Sequence, residues 1–289
     1  MLLPSPRWQH TAWATVRELK DRVAVVTGGA NGIGRAIALE LGRAGMHVAL
    51  ADVDEAGMAR VAAELAALGR RALCVPTDVS QSDSVEQLLA RTLSELGSCS
   101  LAANNAGVFH AAALLDAPLE QWQRVIDINL WGVIHGCRVF GAHFAAQGHG
   151  HILNTGSAAG LFPAPGMSCY STSKFAVVGL SQQLRWELAP RGVGVTVLCP
   201  GVVKTGIGKA KGAGLEHVDV DALVARAPSA EGLARKAVRA IRRNRPMVHY
   251  GFDSYMAALL RVLPLWLIDP LAKLATRNAL ASIATADRK

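Results

Sequence analysis

Short apolar runs alternate with longer amphipathic stretches along most of this 289-residue chain. Val23-Ala24-Val25-Val26 is compact and mostly β-branched, as expected of a strand buried on both faces. Beyond it Ile33, Ile37 and Leu41 recur at helical spacing, with Ala36 and Ala44 beside them. Further strand-like runs occupy 47–51, 72–75, the residues before Asn104, 151–153 and 193–198. Strand and helix in regular alternation predict an α/β fold, a doubly wound Rossmann-type domain with a parallel sheet flanked by helices. The alternation has no linker, so one domain is expected over 19–251. An N-terminal arm (1–18) precedes it and an apolar helical extension (252–289) follows.

The glycine turn after the first strand gives this pattern a chemical direction. Thr27-Gly28-Gly29-Ala30-Asn31-Gly32-Ile33-Gly34 has Gly-x-x-x-Gly-x-Gly spacing. Strand, glycine turn and helix together aim helix N-terminal amides at a pyrophosphate. The second strand-like run ends on Asp52, about twenty residues past the turn, where a carboxylate accepts a hydrogen bond from an adenosine ribose. A carboxylate there repels a 2′-phosphate, so NAD is favoured over NADP. Downstream, Tyr170 and Lys174 stand four residues apart and so share one helix face. Phenol, ammonium and dinucleotide turn together point to hydride transfer with a tyrosine moving the proton.

Other landmarks come in order: Asp78 after the third strand, Asn104-Asn105-Ala106-Gly107 after the fourth, and Asn129 inside the apolar stretch 125–130. Ser157 follows the fifth strand, thirteen residues before Tyr170. With these, residues 19 to 251 resemble the short-chain dehydrogenase/reductase family. The resemblance implies a seven-stranded sheet and a catalytic set of Asn129, Ser157, Tyr170 and Lys174. Tyr170 would be the general acid/base, Ser157 would hold the substrate oxygen, and Lys174 would reach the nicotinamide ribose. Asn129 would interrupt its helix and carry a relay water beside the lysine. Cofactor contacts would come from Gly28, Asn31, Gly32, Ile33, Gly34, Asp52, Asp78, Val79, Asn105, Ala106, Gly107, Tyr170 and Lys174. The segment from Cys199 to Thr205 resembles the family's Pro-Gly stretch, adding Pro200, Gly201, Val203 and Thr205. A free phenol titrates at about 10, too high for a base near neutrality. An ammonium about 5 Å away at an effective dielectric of about 20 supplies roughly 3 kcal/mol, enough to bring it down by about two pKa units.

Substrate contacts are expected from Ser157, Leu161, Phe162, Met167 and Tyr170, with Val108-Phe109 on the same side. In the family, the stretch 206–223, which holds Lys209 and Lys211, would be a mobile lid. These segments are mostly apolar and carry no arginine to clamp a carboxylate. An apolar secondary alcohol or ketone (steroid-, retinoid-, terpenoid- or fatty-type) is therefore favoured over a sugar or hydroxy acid. An NADPH-dependent 3-oxoacyl thioester reductase is the alternative within the class. A non-catalytic dinucleotide-sensing protein is the alternative outside it.

Composition narrows the setting. Cys74, Cys99, Cys137, Cys169 and Cys199 are odd in number, scattered and without a Cys-x-x-Cys pair, and the nine histidines show no metal-ligand spacing. A cytoplasmic enzyme with no disulfides and no metal is expected. Cys169 reads as a buried, inert thiol, and His149-Gly150-His151 as a turn before a strand. Residues 1–17 contain Pro4 and Pro6 and lack an apolar core of signal-peptide length. Arg235, Lys236, Arg239, Arg242, Arg243 and Arg245 form a basic helix and its exit, supplying much of the net charge of +8. No aromatics are interleaved with them to stack bases, so nucleic acid is not expected as a partner. The apolar run 255–268 is broken by Arg261 and Pro264 and is too short to span a bilayer. Three fates stay open for it: packing on the core or a second subunit, capping an apolar pocket, or peripheral contact with a membrane. Helices around 116–147 and 170–189 resemble the family's dimer faces, which implies a homodimer or homotetramer.

Overall fold

In the computed structural model the apolar runs become one sheet of seven parallel strands, ordered β3-β2-β1-β4-β5-β6-β7. The structure describes residues 18–205, 224–264, 266–270 and 272–273. The N-terminal arm to residue 17, the expected lid at 206–223 and the chain from 274 onward lie outside the described residues. The strands are β1 (Val23–Thr27), β2 (His47–Asp52), β3 (Ala72–Pro76), β4 (Leu101–Asn104), β5 (Gly150–Thr155), β6 (Val193–Pro200) and β7 (Met247–Tyr250). The order reverses between β1 and β4, which opens a crevice at the carboxyl ends of the strands, where such sheets bind ligands.

Alternation within each strand sorts the core into two layers. Ala24 and Val26 of β1, with Val48 and Leu50 of β2, face the layer of α1 (Gly32–Arg43), α2 (Glu55–Ala67) and α7 (Ala230–Arg242). There they meet Ile37, Leu41, Met58, Leu65, Leu233 and Ile241. Val25, Ala49 and Ala102 face the opposite layer, where α3 (Ser82–Leu96), α5 (Gly132–Gln147) and α6 (Ser168–Leu188) contribute Leu88, Phe140, Phe144 and Val177. Helices on both faces leave these strands no solvent side, which is why they read as continuous apolar runs. A third, smaller cluster joins Leu161, Val178, Val197 and Cys199 to Ala257 of α8 (Phe252–Leu260). The chain beyond 251 thus packs partly on the core, through Ser254 and Ala257, while Phe252, Tyr255, Leu259, Val262 and Trp266 face outward. No helix among the described residues is long and apolar enough to cross a membrane.

Two boundaries differ from the sequence expectation. β5 begins at Gly150, one residue before the expected run 151–153, and His151 is fully buried within it. Its Nε2 lies 2.9 Å from Thr196 Oγ1 on β6, and that hydroxyl donates to Arg245 O at 2.6 Å. With the threonine proton so placed, Nε2–H must be the donor to Thr196. β6 also runs on through Cys199 and Pro200, paired with His249 and Tyr250 of β7, so only Gly201 onward is a loop.

Candidate active site

The glycine turn departs from β1 at Gly28, whose φ of +64° suits glycine. A side chain at Gly28 would strike Ala106, and one at Gly34 would strike Gly28 O and Asn105. The turn is therefore packed backbone to backbone against the loop after β4. Asn31 caps α1 without a side-chain hydrogen bond, and the first turn carries no acid. That uncapped end leaves helix amides for an anion, and the glycine cradle leaves room for one. The residues present fit the pyrophosphate of a dinucleotide.

Asp52 is not a solvated loop acid. Its Oδ2 accepts from Ala30 N at 3.0 Å within the glycine turn, and its Oδ1 accepts from Asp54 N at 3.1 Å. Asp54 is a residue the sequence reading missed. It caps α2, accepting from Gly57 N at 2.8 Å, and accepts from Asn31 Nδ2 at 3.1 Å. These donors, the Gly57 amide first, hold its carboxyl below the ordinary aspartate value. Two carboxylates thus border the place where an adenosine ribose would lie, and the Asp-Val-Asp spacing was the available signal. Asp78 is exposed and bonds Ser80. Val79 is buried, wedged against Gly132 of α5.

Asn105 acts first on the protein itself. Its Nδ2 donates to Thr27 O at 3.1 Å and Gly28 O at 3.3 Å, and its Oδ1 accepts from Thr155 Oγ1 at 3.2 Å. Thr27 returns the favour by accepting from Asn105 N at 2.9 Å and Ala106 N at 3.1 Å. The side chains of Asn105, Thr27 and Thr155 therefore lock the ends of β1, β4 and β5 together. Thr27 was not singled out from the sequence; its place at the end of β1 was the only hint.

The four expected catalytic residues come together. Lys174 is almost fully buried and donates to Thr155 O at 2.9 Å, with its Nζ 5.7 Å from the centre of the Tyr170 ring. Phe109 meets that ring edge-on at 4.9 Å. Ser157 is both a cap and a neighbour of the phenol: Oγ accepts from Ala159 N at 3.2 Å, and its hydroxyl acts to lower the Tyr170 pKa. Capping the short helix at Ala158–Gly160 is compatible with the expected role of holding the substrate oxygen.

Asn129 lies in a π-helical turn (Asp127–Trp131) between α4 (Leu119–Ile126) and α5, the expected interruption. Its side chain is occupied by Val108, accepting from N at 2.8 Å and donating to O at 2.9 Å, and it donates to Ser173 Oγ at 3.2 Å. Any water carried by this residue would have to use its main chain. A side chain on Gly107 would crowd Asn129 Oδ1, with Lys174 Nζ just beyond. That glycine keeps the lysine and the π turn adjacent.

Two expectations need correction. Burial raises the Tyr170 pKa, opposed by the Ser157 hydrogen bond, so the phenol is not brought toward neutrality by its lysine. Lys174 turns its ammonium to Thr155 O and is itself pushed down to about 8 by burial. Desolvation is the leading cause of both shifts. The second correction concerns Leu161, which is 2% exposed and packed in the third core cluster against Val178 and Ala257, so it offers no face to a substrate. Phe162 and Met167 are part-buried, Phe162 against the same cluster. Val203 is in the core, and Thr205 packs directly over Gly32, bringing the segment after β6 onto the glycine turn. Cys169 is buried and its thiol pushed up by that burial, the inert state expected. Among the described residues no group of three or more His, Cys, Asp or Glu is placed to hold a metal.

A doubly wound sheet with this glycine turn and a Ser-Tyr-Lys cluster in its crevice defines a nicotinamide-type oxidoreductase scaffold. Residues 22–216 match the short chain dehydrogenase family, and the chain belongs to it. A short-chain dehydrogenase/reductase from Burkholderia phymatum, solved in complex with NAD, superposes with a TM-score of 0.78 at 34% identity, covering 88% of this chain and 96% of that one. Mycobacterium tuberculosis "Probable oxidoreductase EphD" is 38% identical over 84% of this chain, which spans only 43% of that relative's length. A Synechocystis 3-oxoacyl-[acyl-carrier-protein] reductase is 38% identical over 65% of this chain and 76% of its own. The 3beta-hydroxysteroid dehydrogenase 2 of Eggerthella lenta is 35% identical over 66% and 74%.

Proposed function

We propose that this protein is an NAD-dependent alcohol dehydrogenase or carbonyl reductase acting on an apolar secondary alcohol or ketone. The observation that carries the cofactor choice is Asp52, bonded to the glycine turn with Asp54 beside it. Together they present negative charge where a 2′-phosphate would have to sit. When bound, the nicotinamide supplies or takes up the hydride. Tyr170 moves the hydroxyl proton, Ser157 holds the substrate oxygen, and Lys174 positions the ribose and adds positive charge beside the phenol. Cofactor contacts are assigned to Gly28, Asn31, Gly32, Ile33, Gly34, Asp78, Val79, Ala106, Gly107 and the segment Pro200–Thr205. Phe109 is kept in the substrate wall, where its ring packs on Tyr170, and Leu161 is removed from it.

The apolar-substrate assignment draws support from the Phe109 ring packed on Tyr170 and from the hydroxysteroid-dehydrogenase relative. The 3-oxoacyl-reductase relative keeps the thioester alternative in play. Parallel assays separate the two. The purified protein is given NAD and NADP with a panel of bulky apolar alcohols, and NADH and NADPH with 3-oxoacyl thioesters. Turnover with NAD on an apolar alcohol is expected; turnover confined to NADPH and thioester would overturn the assignment. A homodimer or tetramer is proposed through α5 and α6, whose outer side exposes Trp186 and Phe175, with Trp131 just before α5.

A further inference from the structure

The segment that follows β6 is held from outside the nucleotide-binding fold. Gly201 does not need to be glycine for its backbone angles, since it is not among the positive-φ glycines of this chain. What requires glycine is space: a side chain at Gly201 would collide with both carboxylate oxygens of Asp253, in the first turn of α8. Gly251, at φ +89°, clears room for the same carboxylate from the other side. The carboxylate thus lies between two glycines, and its Oδ2 accepts from Val202 N at 2.6 Å. The next residue, Ser254, is fully buried and donates to Cys199 O at 2.5 Å. One turn further on, Ala257 joins the core cluster that holds Cys199 and Leu161. The start of the C-terminal extension therefore grips Cys199, Gly201 and Val202, on the way to Thr205 and the glycine turn.

We infer that Asp253 is a positioning residue for the nicotinamide end of the site. It sets the path of Gly201-Val202-Val203 by holding the Val202 amide, and so joins the extension after β7 to cofactor binding. This rests on the assignment of Pro200–Thr205 to the nicotinamide. The adenosine end is built from β1 and β2 and does not touch Asp253, so the two ends of the dinucleotide should respond differently to its loss.

Full-length protein would be titrated with NADH, by fluorescence, and with ADP-ribose, which lacks the nicotinamide, by calorimetry. Wild type would be compared with Asp253→Ala, Asp253→Asn, Gly201→Ala and Thr205→Val. Asp253→Ala is expected to weaken NADH by about tenfold, the scale of one hydrogen bond to a charged group, and ADP-ribose by less than about twofold. Gly201→Ala, which displaces the carboxylate, should reproduce that split. Asp253→Asn keeps an acceptor oxygen and should recover most of the affinity; it decides the matter if the alanine variant does not fold. Equal loss of both ligands would reduce Asp253 to a general structural role and overturn the proposal. An unchanged NADH to ADP-ribose ratio in the Asp253 and Gly201 variants, with a shifted ratio in Thr205→Val, would overturn it while leaving the nicotinamide segment assigned. A ratio that moves in none of them would overturn both.

Discussion

The two ends of the crevice are built on opposite electrostatic plans. On the β1–β2 side the charges stay near water and are held by main-chain amides: Asp52 by Ala30 and Asp54, Asp54 by Gly57. On the β5–β6 side Lys174 and Cys199 are buried, and that burial pushes the ammonium down and the thiol up. The first plan costs the fold little, because each carboxylate is solvated in part and hydrogen-bonded for the rest. The second costs stability and makes groups whose protonation responds to what enters the pocket. Recognition and chemistry are thus separated in space and in their effect on the folded state.

The largest break in this comparison is expected from Tyr170→Phe. Removing a general acid/base should cut turnover by roughly 10³-fold, while NADH affinity, set largely on the other side, stays near wild type. Rate measurements with a parallel fluorescence titration check this; an enzyme still turning over at full rate would remove Tyr170 from the chemistry. Next in size is Asp52→Asn combined with Asp54→Asn. Each amide keeps one acceptor oxygen and gives up one of the two local bonds its carboxylate accepts, but the repulsion of a 2′-phosphate is gone. The NAD over NADP preference in kcat/KM should fall by about tenfold or more.

Lys174→Met tests the stability side of the comparison. In the wild type Lys174 titrates at about 8 when folded, against an ordinary 10.5. Because the folded value is the lower, the cost of its buried charge is full below pH 8 and is gone above 10.5. Methionine should therefore raise stability at pH 7 by up to about 3 kcal/mol, with activity lost, and the gain should vanish at high pH. Denaturant melts across that range would show it. Last comes His151, near the start of β5 and away from the crevice, pushed down to about 3 by burial, against 6.5 when free. The folded protein resists protonating it, so stability is held above pH 6.5 and lost as pH falls below it. That one group should contribute about 1.4 kcal/mol per pH unit. Comparing melts at two pH values on this limb, for wild type and His151→Leu, isolates its share: the leucine variant should show a flatter dependence.

Much of this was legible along the chain. Period and length of the apolar runs determined the strands and helices, because strands buried on both faces cannot tolerate polar interruptions. The glycine spacing, Asp52 at the end of its strand and the Tyr-x-x-x-Lys pair are local patterns, and local patterns survive projection onto a sequence. The interruption of the helix at Asn129 was legible only through the family resemblance. Tertiary structure alone decided the rest. The lock of Thr27, Asn105 and Thr155 spans three strands, and Asp253 meets Gly201 and Val202 across some fifty residues of chain. Leu161, apolar and near the catalytic serine, gave no sign of whether it faced a substrate or the core until α8 was seen to cover it. The direction of the Tyr170 and Lys174 shifts also had to wait for the fold. Distance to a charge can be guessed from helical spacing, but loss of water depends on every element that closes over the pair.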